Sequence, residues 1–464
     1  MLRIVGMTRQ VYQKELQTGV SRERLWDWHM RSGAFERLSP PWIQTRFGQD
    51  MEIPSTGEQV AFEVRQFGIW LTWRARIDCL SAPFEFVDTQ VEGPFAYWRH
   101  RHIFSEAASQ GSTLTDAVTF EVPRPLSWIP VIRDKALKEI ERLFAFRHQR
   151  THEDLQRYPI PRGSGQIVLV TGASGMVGRR LVPFLKMLGY AVRTLGRSGS
   201  GKGAYRWNPE TGNLDTAALE GVSAVIHLAG EPIAAGRWDA SRKSRIMKSR
   251  VAGTQLLVDT ILQQINPPSC FICASGVNYY GSGTDPKTED APNGKGFLAE
   301  VCRQWEAAAK RVEAAGVRCL CVRAGVVLDP MGGALAKMLP AFLCGVGGPV
   351  GSGEQRFPWI SIDDLLDIFA YALEAEKLTG GVNAVHPQLV TQREFAACLG
   401  RVLRRPACLP LPTAVVRLLF GEMGEETLLA DLPIRPGILE ASGYAFRSDD
   451  LESALRLQLG RIKN

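Results

Sequence analysis

The stretch IVLVTGASGMVGRRLVPFLKMLGY, residues 167–190, limits the possible fold of this chain more than any other. Its opening residues read as an apolar strand, and Gly172, Gly175 and Gly178 fall where strand gives way to helix. Glycine permits the tight turn and lets the backbone approach a pyrophosphate, whose charge then rests at the helix N-terminus. A glycine trio alone is a weak signal. Strand, trio, helix and a following strand together point to a bound dinucleotide. The predicted contacts are Thr171, Gly172, Gly175, Met176, Val177 and Gly178. They are joined by Leu228, Ala229 and Gly230 of AVIHLAGEP, small residues that let the chain pass beneath the adenosine and the nicotinamide ribose.

The choice of dinucleotide is made at the end of the second strand, where an acidic residue would hold both ribose hydroxyls and favour NAD. Here the sequence runs AVRTLGRSGSGK, without a carboxylate until Glu210. Arg197 stands where a 2′-phosphate would lie, with Ser198, Arg179 and Lys202 as helpers, and a guanidinium suits a phosphate. The expected cofactor is therefore NADP(H). His227, inside the third strand, reads as a hydrogen-bonded core residue.

Around this motif, strands expected at 167–171, 190–195, 224–228, 269–275 and 317–323 alternate with helices near 177–188, 242–263 and 297–315. That alternation marks a doubly wound parallel α/β sheet of Rossmann type. The preceding residues have a different texture. QVAFEVRQFGIWLTWRARIDCL, PFAYWRHRHIFSEA and TLTDAVTFEV alternate apolar with polar residues, as half-buried antiparallel strands do. A long helix follows, with Ile132, Leu137, Ile140, Leu143 and Phe144 on one stripe. This predicts an α+β module whose sheet grips a helix. The expected domains are 1–160, then 166–390 after the linker THEDLQRYPIPRGSGQ, then a small helical domain over 391–464.

At 464 residues, 45% hydrophobic and 22% charged, the chain has the composition of a soluble globular protein with two or three domains. No apolar run reaches a membrane span, and charges break the opening residues too early for a signal peptide; a cytoplasmic location is expected. The nine cysteines are scattered, and the CxxC of Cys270 and Cys273 lies inside an apolar strand, so buried free thiols are expected. The net charge is +7, concentrated in ASRKSRIMKSR, residues 240–250. Without interleaved aromatic residues this reads as a solvated helix, and nucleic acid is not an expected partner. His29, His100, His102, His148 and His152 show no ligand spacing, so no metal site is expected.

VTGASGMVG, VIHLAGEPIAAGRW, SRVAGTQLLVD, ASGVNYYG, FLAEVCRQWE, RAGVVLDPMGGALAKMLP and PWISIDDL occur in this order. Residues 166–456 thereby resemble the atypical extended short-chain dehydrogenase/reductases, in particular the epimerase-family proteins of unassigned substrate that end in a small helical domain. GAFERLSPPW and its neighbouring strands resemble a START-like polyketide-cyclase or ligand-binding module. The resemblance implies an NADP(H)-dependent oxidoreductase or epimerase-type enzyme. It also leaves open a second class, a cofactor-binding regulatory or scaffold protein, because relatives have been linked to cell and organelle division. The partners expected are a small-molecule substrate, an apolar ligand in the N-terminal module and a second copy of the chain.

In that family a Ser or Thr on the fourth main strand works with Tyr and Lys on the next helix. Tyrosine moves the proton, and lysine lowers its pKa. In GFLAEVCRQWE the two positions fall on Leu298 and Cys302, neither of which can do this. Ser275 remains. Of its neighbours, Tyr280 reads as structural, and Tyr279 either replaces the lost acid or packs. Ser275 and Tyr279 are the candidate catalytic residues; Lys295, Arg237 and Trp238 are candidates for the substrate side. Arg323 either anchors an anionic group or pairs with a carboxylate, and Asp363 and Asp364 read as a helix N-terminus.

Overall fold

The computed structural model describes residues 9–48, 55–66, 68–107, 111–158, 162–163, 165–199 and 203–462. Lys202 and residues 159–161 of the expected linker lie outside them. The chain forms two compact units, Met1–Ser164 with Pro183–Gly189 and Leu459–Asn464, and Gly165–Val182 with Tyr190–Gln458. Residues 391–458, expected as a small helical domain, cluster with the second unit.

The first unit is a seven-stranded antiparallel sheet in the order β1-β7-β6-β5-β4-β3-β2. Its strands are β1 (Gln10–Thr18), β2 (Thr45–Phe47), β3 (Gln59–Gln66), β4 (Ile69–Ser81), β5 (Glu85–Glu92), β6 (Tyr97–Glu106) and β7 (Ser112–Glu121). Helices α1 (Arg22–His29) and α2 (Ala34–Arg37) link β1 to β2, and α3 (Pro130–Arg157) closes the unit. Strict alternation puts Trp98, His100, His102 and Phe104 of β6 on the inner face, all buried. Leu114, Val118 and Phe120 of β7 join that face. Ile140 and Phe144 of α3 complete one core cluster, with Ile132, Leu137 and Leu143 packed at its edge as the helical stripe predicts.

The fold gathers three of the histidines that show no ligand spacing along the chain: His100 and His102 share the inner face with Asp88 of β5 and Asp116 of β7. His148 of α3 reaches the same Asp116. Antiparallel pairing brings residues far apart in sequence side by side, which one-dimensional spacing does not register.

The second unit carries an eight-stranded sheet in the order β11-β10-β9-β8-β12-β13-β14-β18. Strand β8 (Ile167–Thr171) leads through α4 (Gly178–Met187) to β9 (Ala191–Gly196), β10 (Ala204–Asn208) and β11 (Asn213–Leu214). The chain then crosses to β12 (Ala224–His227), α5 (Ala240–Leu262), β13 (Cys270–Gly276), α6 (Phe297–Lys310) and β14 (Arg318–Ala324). Strands β15 (Val326–Leu328), β16 (Arg356–Phe357) and β17 (Trp359–Ser361) alternate with α7 (Gly333–Leu343) and α8 (Ile362–Glu374) before β18 (Gly380–Ala384). All partners within this sheet are parallel except β10 and β11. Because β8 is followed by β9 on one side and bordered by β12 on the other, the strand order reverses there. Open α/β sheets take their ligands in that crevice, at the carboxyl ends.

Beyond β19 (Val390–Thr391) lie α9 (Gln392–Leu403), α10 (Thr413–Phe420), α11 (Glu422–Thr427), α12 (Gly437–Ala441) and α13 (Leu451–Gln458). Asp363 and Asp364 occupy the first turn of α8 as expected, with Ser361 capping Asp364. No helix among the described residues is long and apolar enough to cross a membrane.

Phe144 is fully buried beside Tyr12 and His100, with ring centroids 5.6 and 5.0 Å away. Truncation there leaves a cavity that rigid strands fill poorly. Phe144→Ala should cost the first unit about 3–5 kcal/mol, read from its transition in chemical denaturation.

Candidate nucleotide and substrate site

The turn from β8 to α4 leaves no room for side chains. Gly172 has φ +70°, and a Cβ on it would lie 2.8–3.0 Å from the Leu228 and Ala229 backbone. A Cβ on Gly178 would lie 2.3 Å from the Gly172 carbonyl oxygen. The Arg179, Arg180 and Leu181 amides already donate to the Gly175 and Val177 carbonyls, so α4 is wound directly from the glycine turn and brings the positive end of its dipole there, as an anion requires. Met176 and Val177 are half-buried beside them, and Gly175 is exposed. The Met176 side chain packs where Gly332 and Gly333 leave it space.

Thr171 is fully buried, and its hydroxyl is a hub. It accepts from the Leu228 and Ala229 amides at 3.1 and 3.2 Å and lies 2.7 Å from His227 Nδ1. With two donors already on that oxygen, its own hydrogen goes to His227 Nδ1. His227 Nε2 then donates to Thr254 Oγ1 at 3.0 Å, and Thr254 donates to the Arg250 carbonyl at 2.6 Å. Burial and the nearby Arg250 charge push the His227 imidazole down to about 3, so it stays neutral. It is the core residue expected, and Thr171 acts through backbone placement. Arg197 follows β9 and is exposed, as are Ser198 and Arg179.

Ser275 lies near the carboxyl end of β13, 8% exposed, and donates to Glu306 Oε1 at 2.8 Å. Arg323 grips the same carboxylate with two bonds of 2.8 Å and donates to the Tyr280 hydroxyl at 2.7 Å. Tyr280 passes its hydrogen to Asn383 Oδ1 at 2.8 Å. Of the two readings of Arg323, carboxylate pairing is therefore the one observed. The half-buried Tyr279 ring lies under the Arg323 guanidinium, 3.5 Å from its carbon.

Leu298 is buried in α6, its amide and that of Phe297 capped by the Glu426 carboxylate at 2.8 and 2.7 Å. Cys302 is buried 3.6 Å from the Gly276 carbonyl oxygen, and burial pushes its thiol up to about 11. Neither replaces a tyrosine–lysine pair. Arg237 donates to the Leu418 carbonyl and Trp238 to that of Ile233, so both secure backbone.

Residues 168–384 match the NAD dependent epimerase/dehydratase family, and 411–457 match the domain of unknown function DUF1731. The Homo sapiens epimerase family protein SDR39U1 is 39% identical over 293 residues, 62% of this chain and 98% of that protein. The chain belongs to this epimerase family. A Mycobacterium tuberculosis family member, MT2273, is 36% identical over 62% of this chain and 96% of its own. The crystal structure of human SDR39U1 with NADPH superimposes with a TM-score of 0.60 and 36% identity, over 64% of this chain and 100% of that one. A nucleoside-diphosphate sugar epimerase from Corynebacterium glutamicum matches 97% of this chain and 90% of its own, with a TM-score of 0.79 and 29% identity.

Within this epimerase-family site, sequence reasoning missed Arg250, Glu306 as a partner of Ser275, and Asn383. Arg250 was grouped with the solvated charges of α5. It turns inward instead, donating to the Glu231 carbonyl at 2.9 Å beside Gly230, with Trp305 under its guanidinium. Its spacing from Ile246 and Thr254, both buried, is the signal that could have found it. Lys243 pairs with Glu422 and Arg242 with Glu231, so the run is less solvated than expected.

Glu306 and Arg323 side chains are 5% and 6% exposed. Removing the charge of one partner strands the other in a dry environment. Glu306→Gln should destabilise the second unit by about 3–5 kcal/mol, measured by chemical denaturation.

Proposed function

We propose that this chain is an NADP(H)-dependent oxidoreductase or epimerase-type enzyme acting on a small molecule at the carboxyl ends of β8, β12 and β13. The observation that carries the reading is the glycine turn, where Gly172 and Gly178 tolerate no Cβ and the positive end of α4 follows directly. The NADPH in the human relative supports the same choice of nucleotide. Gly172, Gly175, Met176, Val177 and Gly178 would hold the diphosphate, Leu228, Ala229 and Gly230 would border the nucleotide, and the exposed Arg197 would meet the 2′-phosphate.

When bound, the nicotinamide supplies the hydride chemistry. The protein's part is orientation and proton handling. The Ser275 hydrogen is committed to Glu306, so Ser275 offers its lone pairs to a substrate hydroxyl. Glu306, held by Arg323, is a positioning residue. Tyr280 has its hydroxyl committed to Asn383, which makes Tyr279 the better placed phenol for proton transfer. The START-like reading of the first unit, with an apolar ligand, draws support from the half-buried rings of Phe62, Trp73 and Phe95. Phe62 and Trp73 stack at 5.8 Å.

Titration of tryptophan fluorescence should show tighter binding of NADPH than of NADH, a preference lost roughly 10–100-fold in Arg197→Glu. Equal affinities in the wild type would remove the 2′-phosphate assignment. With NADP⁺ and a panel of alcohol substrates, Ser275→Ala should lower NADPH formation roughly 100-fold or more while leaving nucleotide affinity unchanged. Oxidation at background in both proteins would end the catalytic reading.

A further inference from the structure

The first unit holds a side-chain cluster that plays no part in the nucleotide site. His100 and His102, two apart on β6, stand side by side with ring centroids 3.8 Å apart, between Asp88 of β5 and Asp116 of β7. Asp116 is 2% exposed, and its Oδ1 lies 2.9 Å from both His100 Nε2 and His102 Nδ1. Its Oδ2 receives His148 Nε2 at 2.7 Å. Asp116 takes a hydrogen bond from His100 Nε2, and at His102 Nδ1, where the 2.9 Å contact is off hydrogen-bond geometry, its negative charge still favours the N–H tautomer. The opposite nitrogens, His100 Nδ1 and His102 Nε2, are thereby left with lone pairs, and both are on the side of Asp88.

On that side the distances are not those of hydrogen bonds. Asp88 Oδ2 lies 3.5 Å from His100 Nδ1 and 3.8 Å from His102 Nε2. Two donors at about 2.0–2.2 Å from a tetrahedral ion are roughly 3.3–3.6 Å apart. The three donor atoms all lie within 4.8 Å of one another, each from a different residue of adjoining strands. We propose that His100 Nδ1, His102 Nε2 and the Asp88 carboxylate form a binding site for one zinc-like divalent cation, with Asp116 as the outer carboxylate that orients both imidazoles.

Two imidazoles and one carboxylate suit Zn²⁺ and other first-row divalent ions, and three protein ligands leave a position for water or an oxygen-bearing ligand. The outer shell is already built, since Asp116 is held in turn by His148 from α3. Arg147 of α3 is the cation acting on both carboxylates, so two negative groups face one guanidinium. Asp88 keeps 18% of its side-chain surface exposed, against 3% for His100 and Asp116, which gives an ion a way in. Phe86 stacks on His102 at 3.7 Å and fixes its plane.

The test uses the full chain, stripped with a chelator and titrated with Co²⁺, then Zn²⁺. One Co²⁺ per chain should bind with the visible d–d bands of nitrogen and oxygen ligation and without a thiolate charge-transfer band, and Zn²⁺ should displace it. Asp88→Asn and His102→Gln, with circular dichroism matching the wild type, should lose the bands, and Asp116→Asn should weaken binding roughly 10–100-fold. Independently of any variant, ring-nitrogen NMR of the wild type should show two of its seven histidines shifting with Zn²⁺. Absence of Co²⁺ and Zn²⁺ uptake, a thiolate band, undiminished binding by both folded variants, or no shifted histidine would each overturn the site.

Discussion

One buried hydroxyl fixes the place where the second unit can bind anything. Thr171 ends β8, and its oxygen takes the Leu228 and Ala229 amides just beyond β12. Without it the Ala229 amide would be orphaned at the end of a strand, at a cost of about 1–3 kcal/mol, and the Leu228 amide would keep only its 3.3 Å bond to the Thr171 carbonyl. Their capture draws the two strand ends together so closely that only glycine fits at 172. The sharp bend then aims α4 at the crevice. His227 is locked as the other half of this tie: it must accept at Nδ1 and donate at Nε2, and it can do both only when neutral. The nucleotide turn is thus a consequence of strand-end hydrogen bonding, and the glycines are what that bonding leaves sterically possible.

The substrate side is arranged around a different necessity. A carboxylate buried among the strands and helices around Ser275 needs a partner, and Glu306 has one in Arg323, which also binds Tyr280. The pair earns little net stability against an apolar replacement of equal shape. Its effect is to specify direction: the Ser275 hydrogen points to Glu306, the Tyr280 hydrogen to Asn383, and the Tyr279 ring lies flat under the guanidinium. Leu298 and Cys302 add apolar packing to α6, and the helix start is held by Glu426 from α11. A site of this kind has its charges tied down before a substrate arrives.

What was legible in the sequence divides along the same physical line. The parallel strands of the second unit were readable because each is a short apolar run between a helix and a glycine or proline. β8, β13 and β14 lie within a residue of their expected bounds. The short β10 and β11 carry too little pattern to stand out, as does β18, GGVNA, with its two glycines and buried Asn383. The role of Glu306 escapes sequence reading, because its partner Ser275 sits 31 positions away across a helix–strand contact. Arg250 was mistaken for a solvated cation because its neighbours in sequence, rather than its neighbours along the helix face, were weighed.

The first unit shows the limit of spacing arguments most clearly. His100 and His102 share a strand face by simple alternation. Their surroundings come from Asp88, Asp116 and His148, which reach the same place through β5, β7 and α3. A ligand set written within one loop or helix leaves a fixed interval in the sequence. One assembled across paired antiparallel strands leaves none, since the interval depends on hairpin lengths that the chemistry does not constrain. What does constrain it is burial. Polar side chains enclosed at a sheet's inner face must satisfy one another or bind something, and a pairing register is enough to identify them. The inner face of this unit combines half-buried aromatic rings with that acid–imidazole cluster.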